Sequence, residues 1–157
     1  MERVKISWDN LHADCNNLID QIRKDASASI EVVIGLLRGG TAPATIISHA
    51  LDVPMYAVGI KSYITTEKTG VIQLYQDCLE EMRRMNHTNH HVLVVDDISD
   101  TGETLDYIVE AYSPYCKSIR TATPYIKLGT KHIPHYYAFS YPKAEWLDFP
   151  WEVSTSK

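Results

Sequence analysis

The stretch from Val92 to Leu105 constrains this chain more than any other. It begins with four apolar residues in a row, a pattern typical of a strand that is buried on both faces of a parallel sheet. Two adjacent carboxylates, Asp96 and Asp97, come next, and a small polar turn then leads into a helical pattern near Leu105. Ligands of open parallel sheets bind beyond the carboxyl ends of the strands. We therefore expect a ligand site between this strand and the following helix.

The polar turn has the composition of a phosphate site. Gly102 allows backbone N–H groups to approach an anion, and hydroxyls are available from Ser99, Thr101 and Thr104. The two carboxylates before the turn would repel that phosphate, so they suit sugar hydroxyls or a divalent cation instead. An Asp-rich helix N-cap is the plain alternative. The stretch as a whole predicts a site for a phosphorylated sugar.

Composition narrows the classes of protein to consider. A length of 157 residues suits one domain, and 45% hydrophobic with 22% charged residues is typical of globular proteins. No apolar run is long enough to span a membrane, and Met1–Lys5 leads into no signal-peptide core. Three widely separated cysteines indicate reduced thiols, so we expect a cytoplasmic protein. A net charge of -5 argues against nucleic-acid binding.

A second loop of the same kind follows an earlier strand. Ile30–Leu37 reads as a buried strand, and Arg38-Gly39-Gly40 comes directly after it. A Gly-Gly pair can be a simple chain reversal, but an arginine at a strand's carboxyl end favours an anion site. Further strands are predicted at 54–60, 117–126 and 136–141. A first helix is predicted from Trp8, with Ser7 as its N-cap, to an end near Asp25 to Ser29, and another over Ile72–Met85.

The block Val94–Thr104 resembles the phosphoribosyl diphosphate signature of type I phosphoribosyltransferases: apolar residues, two acidic residues, then Asp-Thr-Gly-x-Thr. The resemblance implies one α/β domain over residues 1–157, with a mostly parallel five-stranded sheet flanked by helices. It also implies a small hood from the N-terminal and C-terminal segments and a flexible loop at about 62–76. Relatives are dimers or tetramers, so a homo-oligomer is expected.

The resemblance also implies roles for individual residues. Asp97 would help to hold Mg²⁺, and Asp100 would handle a proton of the base. Lys68 would stand in for a hood arginine, which this chain lacks near Ser62-Tyr63. Contacts to phosphoribosyl diphosphate are implied for Arg38, Gly39, Lys68, Asp96, Asp97, Ile98, Ser99, Asp100, Thr101, Gly102, Glu103 and Thr104.

The C-terminal part resembles the base-binding segment of small bacterial xanthine–guanine phosphoribosyltransferases. The residues that carry this resemblance are Trp146 and Leu147, within a Trp-x-acidic-x-Pro-Trp-acidic pattern, and Lys127 at the end of a predicted strand. The resemblance implies that Trp146 stacks on a purine, that Leu147 reads the base through its backbone, and that Asp100 and Lys127 also contact it. An ammonium favours a 6-oxo group over an amino group.

The expected function is therefore purine salvage from a 6-oxopurine and phosphoribosyl diphosphate. Two alternatives stay open. One is a non-catalytic sensor of phosphoribosyl diphosphate, and the other is a phosphoribosyltransferase for another base. Lys127 and Trp146 argue against a sensor that has lost its base contacts, and the lysine argues against adenine.

Overall fold

Strands and helices alternate along the chain, and none of the described helices is long and apolar enough to cross a bilayer. The computed structural model describes residues 1–64 and 69–152. Within them, the strands are β1 (Arg3–Lys5), β2 (Val32–Leu37), β3 (Met55–Ile64), β4 (Thr69–Gln76), β5 (His91–Val95), β6 (Ile98–Ser99), β7 (Ser118–Lys127), β8 (Tyr136–Tyr141) and β9 (Trp146–Asp148). The helices are α1 (Trp8–Lys24), α2 (Thr41–Leu51), α3 (Leu79–Arg84) and α4 (Glu103–Tyr112).

In the described residues, seven strands form one sheet in the order β4-β3-β2-β5-β7-β6, and β8 also pairs with β7. The five predicted strands, β3, β2, β5, β7 and β8, are all parallel to their partners among these five. β4 adds an antiparallel neighbour to β3, and the two-residue β6 runs parallel to β7. The prediction of an α/β fold with a mostly parallel sheet is confirmed.

The central strands are apolar along their whole length because both faces of the sheet are covered. Ile34 and Val94 pack with residues of α3 and α4 on one face. Leu93 and Val95 pack with residues of α1 and α2 on the other. All four side chains are fully buried, and burial of each stabilises the fold by roughly 1.5–3 kcal/mol. These layers hold β2 and β5 side by side.

The helix predicted over Ile72–Met85 is wrong in its first part. Residues 69–76 form β4, and the helix begins only at Leu79. Ile72 and Leu74 alternate with exposed neighbours and pair with β3, so the tertiary contact selects the strand. Of the loop expected at 62–76, residues 62–64 thus lie in β3 and 69–76 in β4, while 65–68 lie outside the described part of the chain.

The two ends of the chain pair with each other beside the sheet. β1 and β9 form a parallel two-stranded ladder in which Arg3 lies opposite Trp146. The Arg3 guanidinium contacts both carboxylate oxygens of Asp148, at 2.9 and 2.5 Å. On the inner side, Leu147 and Phe149 pack with Tyr125 of β7. The C-terminal segment is thereby fixed close to the carboxyl end of β7.

A polar network ties α1 to the opposite, amino-terminal end of β7. The Asp25 carboxylate accepts hydrogen bonds from the hydroxyls of Ser27 and Tyr136, each at 2.6 Å, and from the Arg120 guanidinium at 2.6 Å. These donors, with Ser27 first and Tyr136 second, lower the pKa of Asp25. A carboxyl whose pKa is lower in the folded state stabilises the fold at pH values above its unfolded pKa, and this contribution is lost as the pH falls through the folded pKa.

We expect Asp25→Asn to lower the melting temperature at pH 7, because the amide cannot replace the charged acceptor. The difference from wild type should shrink as the pH falls below about 4, the pKa of an unfolded aspartate. Thermal unfolding at several pH values measures this. Asp20→Asn, at an exposed position of the same helix, is the control. An equal loss at pH 7 and at acid pH would contradict the assignment.

Candidate active site

The candidate site lies where the chain leaves β2 and β5 in opposite directions. β2 leads to β3 on one side of the sheet, whereas β5 leads to β7 on the other. Such a switch point leaves a crevice beyond the carboxyl ends of the strands. A cleft of about 1150 Å³ opens there, and its lining includes Arg38 and Gly39 from the first loop and Asp97 from the second.

The two glycines after Arg38 let the loops approach each other closely. A Cβ atom on Gly39 would lie 2.0 Å from Oδ2 of Asp97. A Cβ atom on Gly40 would lie 2.5 Å from the carbonyl oxygen of Val95. The Leu37–Arg38 peptide just before them is cis. The Arg-Gly-Gly loop is therefore packed directly on the Asp97 carboxylate and on the end of β5, and a side chain at Gly40 would collide with backbone atoms.

Asp96 and Asp97 are half-buried and interact with each other. The backbone N–H of Asp97 donates to Oδ1 of Asp96 at 2.9 Å. Burial raises the pKa of both carboxyls, and the neighbouring charge of Asp97 raises the pKa of Asp96 further. A cation or a set of hydroxyl donors at this position would lower both pKa values again, because either favours the charged form. The pair is therefore suited to a ligand that brings positive charge or hydroxyl groups.

The polar turn leads from β6 into α4 as the sequence predicts. Gly102 has a φ of +89°, and α4 begins at Glu103, so the helix's first N–H groups lie at this turn. The Thr101 hydroxyl accepts from the Glu103 N–H at 3.3 Å, and Asp100 is exposed. The Ser99 hydroxyl instead donates to the carbonyl of His132 at 2.7 Å and contacts the Thr130 hydroxyl. Ser99 thus faces a supporting loop rather than the cleft.

The other predicted residues of this stretch flank the turn. Ile98 is half-buried in β6, and Thr104 is half-buried in the first turn of α4. Glu103 is exposed, and its carboxylate lies 4.0 Å from the ammonium of Lys131. The turn therefore offers mainly backbone N–H groups and the Thr101 hydroxyl to an anion.

Lys127 lies at the carboxyl end of β7 and is only 5% exposed. Its ammonium donates to the carbonyl of Pro142 at 3.4 Å, and it forms no ion pair among residues 1–64 and 69–152. An ammonium has three donors, and a buried charge without a carboxylate is costly. This lysine is therefore placed to donate to a ligand acceptor near the segment that leads to β9.

In β9, successive residues direct their backbone N–H and C=O groups to opposite edges of the strand. The Trp146 N–H donates to the carbonyl of Glu2, and the Asp148 carbonyl accepts from Ile6, so these two residues pair with β1. The alternation along a strand leaves the N–H and C=O of Leu147 on the side away from β1. The Trp146 side chain is 49% exposed. The geometry thus leaves an aromatic face and a neighbouring backbone edge available to a planar ligand.

Comparison of the amino-acid sequence with models of known families identifies the family. A model of the phosphoribosyl transferase domain matches residues 7–156, nearly the whole chain. The chain belongs to the phosphoribosyltransferase family. The family prediction from the Val94–Thr104 block is confirmed.

Two curated relatives of this phosphoribosyltransferase carry the same name. The xanthine-guanine phosphoribosyltransferase of Cereibacter sphaeroides is 28% identical over 154 residues, which cover 95% of this chain and 86% of that protein. The xanthine-guanine phosphoribosyltransferase of Chromohalobacter salexigens is 27% identical and covers 99% of this chain and 87% of that protein.

Solved structures agree with the fold. The purine phosphoribosyltransferase of Pyrococcus horikoshii is 30% identical, with a TM-score of 0.78, and the match covers 98% of this chain and 96% of that one. A Neisseria gonorrhoeae protein solved with bound ppGpp has a TM-score of 0.84 at 21% identity, and the match covers 98% of this chain and 91% of that one. At that identity, the second likeness concerns the fold alone.

The cleft of this phosphoribosyltransferase also contains residues that the sequence did not indicate as site residues. Lys61 and Ser62 from β3, Tyr75 from β4 and Glu152 from the C-terminal segment line it. The Tyr75 ring lies over Gly59, where a Cβ atom would come within 2.3 Å of it. The β-branched and aromatic residues Val71, Ile72 and Tyr75 were the available signal for this hairpin. Lys68, predicted to contact pyrophosphate, lies outside the described residues.

We expect Gly39→Ala to reduce kcat/KM for phosphoribosyl diphosphate by at least about tenfold, because the new methyl group displaces the Asp97 carboxylate. Steady-state kinetics measure the effect, and thermal unfolding shows whether the fold is retained. Unchanged kinetics in a stable variant would show that the loop and the acidic pair do not depend on this contact.

Proposed function

We propose that this phosphoribosyltransferase transfers the phosphoribosyl group of 5-phospho-α-D-ribose 1-diphosphate to a 6-oxopurine, in purine salvage. The products are the nucleoside 5′-monophosphate and pyrophosphate. The observation that carries the proposal is the buried ammonium of Lys127, which has no carboxylate partner in the described residues and lies against the segment leading to Trp146. Guanine, hypoxanthine and xanthine all have a carbonyl oxygen that can accept from it.

The sugar-phosphate part of the substrate fits the switch-point crevice. The turn at Thr101–Gly102 and the N-terminus of α4 bind the 5′-phosphate through backbone N–H groups. Asp96 and Asp97 accept hydrogen bonds from the ribose hydroxyls, which relieves the mutual repulsion of the two carboxylates. The Arg38 guanidinium supplies positive charge to the diphosphate, next to the backbone of Gly39, which has no side chain.

The donor set at this site suits Mg²⁺. Among the described residues, no three side chains of the metal-binding types are grouped to form a cage. Mg²⁺ is commonly held by one or two carboxylates together with substrate phosphates, and Asp97, the predicted ligand, lines the cleft together with Glu152. When bound, the ion would neutralise charge on the leaving pyrophosphate.

The reaction exchanges one bond at C1′ for another. The bond from C1′ to the pyrophosphate oxygen breaks, the bond from C1′ to purine N9 forms, and the base loses the proton at N7. Asp100 is exposed at the start of the turn, and its carboxylate takes the N7 proton, which removes the positive charge that develops on the base, and then releases it to solvent. Trp146 stacks on the purine, and the backbone of Leu147 reads its 2-position.

The proposal is tested by nucleotide formation from guanine, xanthine, hypoxanthine and adenine, each with phosphoribosyl diphosphate and Mg²⁺. We expect turnover of at least one 6-oxopurine and a kcat/KM for adenine lower by at least about a hundredfold. Asp100→Asn should lower kcat by about a hundredfold. Glu110→Gln, an exposed acid on α4, is the control. Binding of phosphoribosyl diphosphate without turnover of any base would favour the sensor.

We expect Lys127→Met to lower kcat/KM for the preferred 6-oxopurine by about a hundredfold, because the oxygen at position 6 loses its donor. The KM for phosphoribosyl diphosphate should change little. Lys117→Met, at an exposed position just before β7, is the matched control. If the variant loses affinity for phosphoribosyl diphosphate rather than for the base, Lys127 does not contact the base and its proposed role is wrong.

A further inference from the structure

The turn before α4 rests on a loop from a distant part of the chain. We call this loop, Thr130–His132, the buttress loop. The Ser99 hydroxyl donates to the backbone carbonyl of His132 at 2.7 Å. The backbone N–H of Lys131 donates to the carbonyl of Thr101 at 2.9 Å. A Cβ atom on Gly102 would lie 2.3 Å from the backbone nitrogen of His132. The loop and the turn are therefore in direct contact over several residues.

The His132 side chain fixes the buttress loop at two points. Its Nδ1 lies 2.7 Å from Oδ1 of Asp106 on α4, and its Nε2 lies 2.8 Å from Oγ1 of Thr121 on β7. A carboxylate can only accept, so Nδ1 carries a hydrogen. The ring is 14% exposed and Thr121 is fully buried. The imidazole thus spans from the phosphate-binding helix to the rigid centre of the sheet.

The buttress loop also contacts the acidic side chains of α4. Glu103 and Asp106 lie in the helix's first turn, where they would repel a phosphate. Lys131 lies 4.0 Å from Glu103, and His132 lies 2.7 Å from Asp106. Two consecutive loop residues therefore pair with the two acids in the first turn of α4.

We propose that His132 is a positioning residue for phosphoribosyl diphosphate: it clamps the buttress loop between Asp106 and Thr121 and so holds the Thr101–Gly102 turn in its phosphate-binding shape. This inference rests on the proposed function. His132 touches neither reacting atom. Its effect passes through the backbone carbonyl that accepts from Ser99 and through the contact with Gly102.

The test compares the Michaelis constants of the two substrates in His132 variants. We expect His132→Ala to raise the KM for phosphoribosyl diphosphate by about tenfold, since a displaced turn loses phosphate contacts. The KM for the purine should stay within about twofold, because Trp146 and Leu147 are held by β1 and the Lys127 ammonium by the carbonyl of Pro142. His132→Asn, whose amide N–H can replace the Nδ1 donor to Asp106, should recover part of the loss.

Ile133→Ala is the matched control, because this neighbouring residue is 66% exposed. Thr121→Val serves as an independent variant if His132→Ala folds poorly. It removes the second anchor of the ring and should raise the KM for phosphoribosyl diphosphate by about fivefold, the effect of one lost hydrogen bond. In the His132→Ala background the same change should add little, because both act through one clamp.

Three outcomes decide the question. A selective rise in the KM for phosphoribosyl diphosphate, with wild-type behaviour of Ile133→Ala, supports the clamp. A lower melting temperature with unchanged KM values, or an equal rise for both substrates, overturns it and leaves His132 a merely structural residue. If the wild-type protein neither binds phosphoribosyl diphosphate nor turns over any base, the proposed function has failed and the clamp fails with it.

Discussion

The contact between Gly39 and Asp97 sets the geometry of the whole site. Two parallel strands, β2 and β5, lie side by side in the buried centre of the sheet, and the loops after them meet directly above it. Because a glycine is present, an acidic side chain can lie against the other loop's backbone. The cleft therefore has Arg38 and Gly39 in one part of its lining and the carboxylate of Asp97 beside them. This arrangement suits a ligand with both phosphate groups and sugar hydroxyls.

Several acidic side chains lie close to the position at which phosphate is proposed to bind. Asp96 and Asp97 are half-buried, and Glu103 and Asp106 occupy the first turn of α4. In the proposed complex, ligand hydroxyls and a cation interact with Asp96 and Asp97. Glu103 and Asp106 instead contact two consecutive residues of the buttress loop, Lys131 and His132. The acids therefore limit the binding of phosphate to the positions where backbone N–H groups are free.

Sequence reasoning succeeded where a short segment specifies its own structure. The unbroken apolar run before Asp96 requires burial on both faces, and Ser7 caps α1 through the Asn10 N–H at 3.0 Å, as its position predicts. It failed at β4, where Ile72 fits a helical spacing with Leu79 and Met82 of α3 and also fits a strand with Leu74. Only pairing with β3 decided between them, and that contact is invisible in a local pattern.

The amino-acid sequence by itself determined the α/β class, the two loops at the ends of β2 and β5, and the acidic pair, because each depends on neighbours within a few residues. Tertiary structure alone decided what the side chains of those loops face. It directed the Ser99 hydroxyl to the carbonyl of His132 and placed Tyr75 in the cleft. Both placements bring together segments that are distant in the sequence, and Ser99 and His132 are 33 residues apart. They follow from strand order and packing, which no local periodicity encodes.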